Sequence, residues 1–159
     1  MIGIDLARAS STTGRVVVGI DNSQGARDAL RDAAEVARWR NWTLHVVHTW
    51  HMSYPVEPCE RDLGVVDKAL EENATRTVAD VEKEVLGEDS GLDVRHTIAE
   101  GPPARILVAA SDGADLLVVG CRGRGGFKSL ALGSVGQACV HHAHCPVLIV
   151  RPRTHEHET

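Results

Sequence analysis

Short apolar segments alternate along the chain with longer segments in which apolar residues recur every three or four positions. We predict a β-strand for each of the short segments, which cover residues 15–21, 43–49, 92–98, 116–120 and 146–150. The longer segments have the spacing of amphipathic helices, as in Ala26, Leu30, Ala33 and Ala37 of the first and Leu63, Val66, Leu70, Ala74, Val78, Val81 and Val85 of the second.

Residues typical of helix ends support four helices between the strands. We predict that Ser23 caps the first helix, that Gly87 ends the second and that Pro102-Pro103 opens the third. Ser134 followed by Gln137 has the spacing of a capping box, so we predict that Ser134 caps the fourth helix.

The alternation of strands and helices predicts an α/β fold, a parallel sheet with helices on both faces. Four strands are almost continuously apolar, as burial on both faces requires, whereas residues 92–98 alternate and suit a sheet edge. Right-handed crossovers leave the flavodoxin-like order and the order 3-2-1-4-5 open. We predict the order 3-2-1-4-5, an open, Rossmann-like sheet of five strands.

The composition is that of one globular domain with an aliphatic core. The chain has 159 residues, of which 43% are hydrophobic but only 3% aromatic. We expect a flexible leader over residues 1–13, one domain over 14–152 and a polar tail over 153–159. No apolar run approaches the ~20 residues that span a bilayer, and the 4 cysteines form no CxxC pair. We therefore expect a reducing, cytoplasmic setting and no membrane partner.

The net charge of −5 hides a basic segment near the C-terminus. Between residues 116 and 155 there is no Asp or Glu, but there are five basic residues: Arg122, Arg124, Lys128, Arg151 and Arg153. In an otherwise acidic chain, this distribution predicts a local site for an anion rather than a surface for nucleic acid.

A glycine-rich loop after the fourth strand indicates which anion would bind. In the predicted order, ligands bind where the strand order reverses, which puts Asp21 and Gly120 on opposite sides of one crevice. The loop glycines can turn successive N–H groups inwards, and a helix starting at Ser134 offers further N–H groups beside Gly133. A polyphosphate suits this arrangement, and Arg124 is a candidate phosphate contact.

Two common phosphate-binding motifs do not fit this loop. A Walker A loop needs Gly immediately before Lys-Ser, where this chain has Phe127. The dinucleotide fingerprint G-x-G-x-x-G fails because Lys128 stands where its third glycine would be. The spacing that remains is G-x2-G-x9-G-S, formed by Gly120, Gly123, Gly133 and Ser134.

This spacing, within "VVGCRGRGGFKSLALGSVGQACVHHAHCPVLIVRP", resembles the C-terminal signature of the ATP-binding universal stress proteins. The resemblance extends over residues 14–152 through "VVVGIDNS", "LHVV" and "EGPPARIL". It implies a fold of the adenine nucleotide alpha hydrolase-like type, with ATP as the ligand and Mg²⁺ carried by the nucleotide. It also implies that backbone N–H groups hold the ribose and phosphates, from Gly120, Gly123, Gly133, Ser134 and Val135.

The resemblance assigns roles to three further positions. Asp21 matches an acid near the ribose or the metal-bound phosphates, and the backbone of Val46 matches a position that hydrogen-bonds adenine. Gly101 matches a turn that closes over the nucleotide. Gly136 departs from the pattern, because many relatives have a small hydroxyl residue there.

Together these features predict an ATP-binding stress regulator that is not an efficient enzyme. Hydrolysis needs a base or water-orienting residue beside the terminal phosphate. At the predicted crevice only Asp21 qualifies, and it already has a binding role, so we expect slow ATP hydrolysis at most and no dedicated catalytic residue. An adenine-nucleotide hydrolase and an interaction module without nucleotide remain as alternatives. The segment "HHAHC" at 141–145 lacks the spacing of a zinc site, so we expect no protein-bound metal.

The last strand predicts a homodimer. Val147–Val150 is apolar on both faces and lies at a sheet edge in the predicted order, where natural proteins normally block further pairing with charge, proline or a bulge. We expect two copies to pair through this strand, and the resemblance implies the same.

Overall fold

The computed structural model describes residues 13–51, 63–121 and 132–152, and within these ranges strands and helices alternate. The predicted polar tail and, apart from Thr13, the predicted leader lie outside the described residues. The strands are β1 (Arg15–Ile20), β2 (Thr43–Trp50), β3 (Val94–Glu100), β4 (Leu116–Gly120) and β5 (Val147–Val150). The helices are α1 (Gln24–Arg40), α2 (Leu63–Leu86), α3 (Pro103–Ala110) and α4 (Ser134–His142).

The strands form one parallel sheet in the order β3-β2-β1-β4-β5, which confirms the predicted fold class and strand order. β3 lies at one edge, as its alternating pattern predicts, although it begins and ends two residues later than we predicted. β5 lies at the other edge. The order therefore reverses between β1 and β4, the position at which open α/β sheets bind ligands.

Aliphatic side chains cover both faces of the sheet. On one face, α1 and α2 pack over β1 and β2, and the alanines of α1 allow the helix to approach the strands closely. On the other face, Leu107 of α3 and Cys139 of α4 pack against Val17, Val47 and Leu117. Among the helices in the described ranges, none has the length and apolarity needed to cross a bilayer.

Three of the four predicted helix ends are confirmed, and the fourth is wrong. Ser23 caps α1 by accepting a hydrogen bond from the backbone N–H of Ala26 at 3.2 Å. The capping box predicted at Ser134 does not form, because Gly133 is the N-cap and Ser134 is already the first helical residue. Its hydroxyl therefore lies one position too far along to cap the first turn. The Gln137 side chain instead donates to the Leu132 carbonyl at 3.2 Å.

Candidate functional site

A crevice opens between the carboxyl ends of β1 and β4. The two strands pair only from Val16↔Leu116 to Val18↔Val118, although β1 continues to Ile20 and β4 to Gly120. By contrast, β1 stays paired with β2 up to Ile20, and β4 stays paired with β5 up to Gly120. The two strands therefore separate at their ends while their outer neighbours hold each of them in place.

Asp21 lies at the rim of this crevice, directly after β1. Its Oδ1 accepts a hydrogen bond from the backbone N–H of Ser23 at 2.9 Å, so the carboxylate closes the turn that leads into α1. Arg27 holds the same turn by donating to the backbone and side-chain oxygens of Asn22, at 2.9 Å each. The predicted acid is therefore in position, with one of its oxygens already used by the turn.

Gly120 lies on the opposite side of the crevice, against the start of α1. A Cβ atom at Gly120 would lie 2.8 Å from the backbone carbon and oxygen of Gly25. Only glycine allows this approach, so Gly120 is required by packing as well as being a predicted ligand contact. Sequence reasoning missed Gly25, for which the available signal was a glycine in the first turn of a helix.

The residues on either side of the glycine-rich loop, Cys121 and Gly133, lie next to each other beside the crevice. The Cys121 N–H, after β4, donates to the Val150 carbonyl of β5 at 2.8 Å, and the Gly133 N–H donates to the Cys121 carbonyl at 2.8 Å. The end of β4 and the beginning of α4 are thus joined directly. The predicted phosphate contacts Gly123 and Arg124 lie between them, outside the described residues.

The beginning of α4 has the features of an anion site. Gly133 has an ordinary extended backbone (φ −73°, ψ 166°), no side chain caps the first turn, and that turn contains no acidic residue. The first N–H groups of a helix, including those of Ser134 and Val135, have no partner within the helix, and the helix dipole adds about half a positive charge. This helix start could therefore hold a phosphate beside Cys121.

Gly136, the position that departs from the family pattern, has a structural explanation. It is buried, and a Cβ atom there would lie 2.6 Å from Cδ1 of Leu132. Leu132 thus packs over the first turn of α4 in space that a larger residue at 136 would need. Val135 is half-buried and packs against the core on the α3 and α4 face.

Two predicted site residues lie away from the crevice. Val46 is 1% exposed in the middle of β2, where it pairs with Val18 on one side and His96 on the other. Gly101 follows β3 and donates its N–H to the Trp50 carbonyl, at the end of β2, at 2.9 Å. The contacts of Val46 with adenine and of Gly101 with the nucleotide stay predictions.

The described residues contain no ready-made metal site. Nowhere in the described ranges do three or more His, Cys, Asp or Glu side chains come together closely enough to hold a metal ion. Mg²⁺ usually keeps several waters and binds proteins through one or two carboxylates together with substrate phosphates. Asp21 fits the role of a single carboxylate for such an ion, so the residues present are compatible with Mg²⁺ that arrives with a nucleotide.

Cys139, in the middle of α4, is not suited to nucleophilic chemistry. It is fully buried, and burial, together with the nearby Cys145, raises the pKa of the Cys139 thiol to about 11. The thiolate, which is the reactive form, is therefore scarce near neutral pH.

The chain is similar to known proteins of one family. The family model of the universal stress protein family matches residues 12–151. The chain is 34% identical over 147 residues to a universal stress protein of Mycolicibacterium smegmatis, a match that covers 89% of this chain and 49% of that protein. The chain thus spans about half the length of this relative, and it covers 44% to 51% of relatives from Mycobacterium tuberculosis.

Solved structures show the same architecture. The fold is similar to that of the universal stress protein UspA from Lactobacillus plantarum, with a TM-score of 0.68 over 87% of this chain and 97% of that one. At 22% identity, this similarity concerns the fold alone. A universal stress protein crystallised in complex with cAMP is 26% identical, with a TM-score of 0.58 over 90% of this chain and 100% of that one.

Proposed function

Because the chain belongs to the universal stress protein family, we propose that it binds ATP in the crevice between β1 and β4. In this proposal the protein is a regulator whose state depends on the bound nucleotide, rather than an efficient enzyme. Since the chain spans about half the length of its mycobacterial relatives, the proposal concerns this domain.

The separation of β1 from β4, with the start of α4 fixed beside it, is the observation that carries the proposal. The Gly133–Cys121 hydrogen bond, at 2.8 Å, keeps the uncapped helix start next to the end of β4. Asp21 lies across the crevice at the end of β1. A nucleotide fits this arrangement, with its phosphates at the helix N-terminus and its ribose near the acid.

The related structure in complex with cAMP supports an adenine nucleotide as the ligand class. Our choice of ATP and Mg²⁺ rests on the glycine-rich loop, whose spacing suits several phosphates, and on Asp21 as the single carboxylate beside it. A triphosphate gives the loop, the helix start and a Mg²⁺ ion more phosphate oxygens to bind than a monophosphate does. We therefore expect affinity to fall from Mg-ATP to AMP and cAMP.

Calorimetric titration with Mg-ATP, AMP and cAMP tests the proposal. A separate sample is denatured beforehand, and mass spectrometry of the released material identifies any nucleotide that the purified protein already carries. Mg-ATP at 100 times its dissociation constant should raise the free energy of unfolding by about 2.7 kcal/mol. A protein that carries no nucleotide and whose melting temperature does not respond to millimolar Mg-ATP would contradict the proposal.

Two variants test where the phosphates lie. Gly133→Val should abolish ATP binding, because its side chain would fill the space through which a phosphate reaches the helix N–H groups. The fold should tolerate the change, since the backbone at Gly133 (φ −73°) is one that any residue adopts. Arg124→Ala should only weaken binding and reduce its salt dependence. The reverse result, binding lost with Arg124→Ala but kept with Gly133→Val, would place the phosphates elsewhere.

Hydrolysis separates the proposed regulator from a hydrolase. We propose that ATP turnover stays well below the ~1 s⁻¹ at the slow end of kinases, because a dedicated base beside the terminal phosphate is missing from our candidate residues. Phosphate release at or above that rate, lost on Asp21→Asn, would instead favour an adenine-nucleotide hydrolase.

We also propose a homodimer formed through the edge strand β5. This strand pairs with β4 on one side, and Leu148 is 38% exposed among neighbours without charge. A two-fold axis would let Val147–Val150 pair antiparallel with its copy and satisfy the outer backbone groups.

A cytoplasmic location is proposed in addition, supported by the free thiols of Cys121, Cys139 and Cys145.

A further inference from the structure

His48 is a buried polar residue, one strand away from the crevice, that has no role in the binding scheme above. It lies near the end of β2, opposite Ile20 of β1, and is 7% exposed. Its Nδ1 lies 2.9 Å from the backbone carbonyl oxygen of Ile20. A carbonyl oxygen can only accept, so Nδ1 must carry the hydrogen, and His48 donates to the last carbonyl of β1.

The direction of this carbonyl follows from the hydrogen bonds at the other end of β1. Carbonyls along a strand point alternately to the two neighbouring strands. The Gly14 carbonyl accepts from the Thr43 N–H of β2, and the Arg15 carbonyl accepts from the Asp115 N–H on the β4 side, at 2.9 Å each. Ile20 lies an even number of residues after Gly14, so its carbonyl points towards β2, where both the paired backbone of β2 and the His48 ring meet it.

The orientation of the Ile20 carbonyl determines the orientation of the next N–H group. Because a trans peptide is planar, the Asp21 N–H points away from the Ile20 carbonyl and hence away from β2, towards β4. The pairing with β4 has already ended at Val18↔Val118. The Asp21 N–H is therefore directed into the crevice, and β1 is held at this level from the β2 side.

We propose that His48 is a positioning residue for nucleotide binding. Together with the paired backbone of β2, it holds the Ile20 carbonyl and so keeps the Asp21 N–H directed into the crevice, where this group donates a hydrogen bond to an oxygen of the ribose or phosphates. This inference rests on the proposed nucleotide-binding function. It adds a residue of β2 that acts on the ligand only through the backbone of β1.

A matched pair of substitutions tests the role of the Nδ1 donor. His48→Leu replaces the ring with an apolar side chain of moderate size and removes the donor, whereas His48→Asn keeps an N–H at the same number of bonds from the backbone as Nδ1. In titrations with Mg-ATP, His48→Leu should weaken binding about tenfold, and His48→Asn should stay within about threefold of wild type.

His45→Leu is the control on the same strand. In wild type, the imidazole Nε2 of His45 lies 2.8 Å from the Thr97 hydroxyl of β3. Loss of this histidine should therefore leave the affinity for Mg-ATP unchanged, even if it lowers stability.

NMR provides a readout that a general loss of stability would not produce. The Asp21 amide proton should move downfield when Mg-ATP is added to wild type and to His48→Asn, but not to His48→Leu. The ¹⁵N shifts of the His48 ring should identify the tautomer with hydrogen on Nδ1. This second measurement uses wild-type protein and stands even where His48→Leu fails to fold.

The outcomes separate the inference from the proposed function. Three results would overturn the positioning role alone. In the first, wild type binds Mg-ATP while the neutral His48 ring carries its hydrogen on Nε2. In the second, His48→Leu binds Mg-ATP as tightly as wild type does. In the third, the Leu and Asn variants show equal losses. Wild type that binds neither Mg-ATP nor AMP would overturn the proposed function, and the inference with it.

Discussion

At the scale of single residues, some glycines of the candidate site are required by the fold itself. A side chain at Gly120 would collide with the backbone of Gly25, and Gly101 has a φ of +135°, which residues other than glycine rarely adopt. Substitutions at these positions would disturb the structure whether or not a ligand binds. Gly133, whose backbone is ordinary, is the position at which a substitution reports mainly on the ligand.

His45 makes stability depend on pH in a defined direction. Burial, and then the nearby positive charge of Arg15, His96 and Arg95, lowers the pKa of His45 below its usual value of 6.5. The native state therefore prefers neutral His45, while the unfolded state takes up a proton as the pH falls below 6.5. The stability linked to this group is complete above pH 6.5 and is lost as the pH falls through the lower native pKa.

Urea unfolding between pH 8 and pH 5 checks this prediction. The free energy of unfolding of wild type should fall more steeply below pH 6.5 than that of His45→Gln, which has no titrating group at this position. His141→Gln, which changes an exposed histidine at the end of α4, should follow the wild-type slope. Parallel curves for wild type and His45→Gln would show that His45 does not carry the effect.

At the scale of elements, α1 and α4 start in different ways. At α1, the Ser23 hydroxyl accepts from Ala26, and the Ser23 N–H is itself held by Asp21, so the turn and the helix start support each other. At α4, glycine is the N-cap and no side chain takes the first N–H groups. The helix start without a cap is the one beside the crevice, where a phosphate could take the place of a capping oxygen.

The two serines should therefore behave differently when each is changed to alanine. Ser23→Ala removes the capping oxygen of α1 and should lower the free energy of unfolding by about 1 kcal/mol. Ser134→Ala should change it by less than about 0.5 kcal/mol, because Ser134 caps nothing. Chemical denaturation of both variants without nucleotide makes the comparison. Equal destabilisation would mean that the Ser134 hydroxyl caps α4 after all.

Sequence patterns predicted the elements and the crevice but not the contacts that shape it. The strands and helices follow from apolar periodicity, and Asp21, Gly120 and Gly133 follow from the rule that ligands bind where strand order reverses. The start of α4 was predicted one residue late, because periodicity does not fix the exact N-cap. Two contacts depend on how the elements align in three dimensions: the approach of Gly120 to Gly25, and the hydrogen bond between His48 and Ile20, which are 28 residues apart.

At the scale of the whole molecule, the two edges of the sheet differ. At the β3 edge, Arg95 has a side chain that is 70% exposed, next to the exposed Asp93 carboxylate at 3.8 Å. Charges of this kind discourage pairing with another chain. At the β5 edge, Val147, Leu148, Ile149 and Val150 carry no charge, and Leu148 is partly exposed. Among the described residues, charge therefore protects the β3 edge against further pairing but does not protect the β5 edge.

Leu148→Lys should convert the proposed dimer into a soluble monomer. The substitution puts a charge in the middle of β5, where two antiparallel copies would bring their lysines close together and where desolvating them would cost more than the pairing gains. Light scattering coupled to size exclusion, at about 10 μM protein, should give the mass of a dimer for wild type and of a monomer for the variant. Mg-ATP binding should persist, because β5 is separated from the crevice by β4.

Trp39→Gln is the matched control for loss of exposed apolar surface. Trp39 is 79% exposed in α1, the largest exposed fraction among the large apolar side chains of the described residues, and it does not belong to β5. If dimers formed by general hydrophobic association, this variant would weaken them as strongly as Leu148→Lys does. If they form through the β5 edge, it should remain dimeric. A monomeric wild type, or a Leu148→Lys protein that stays dimeric, would exclude β5 as the interface.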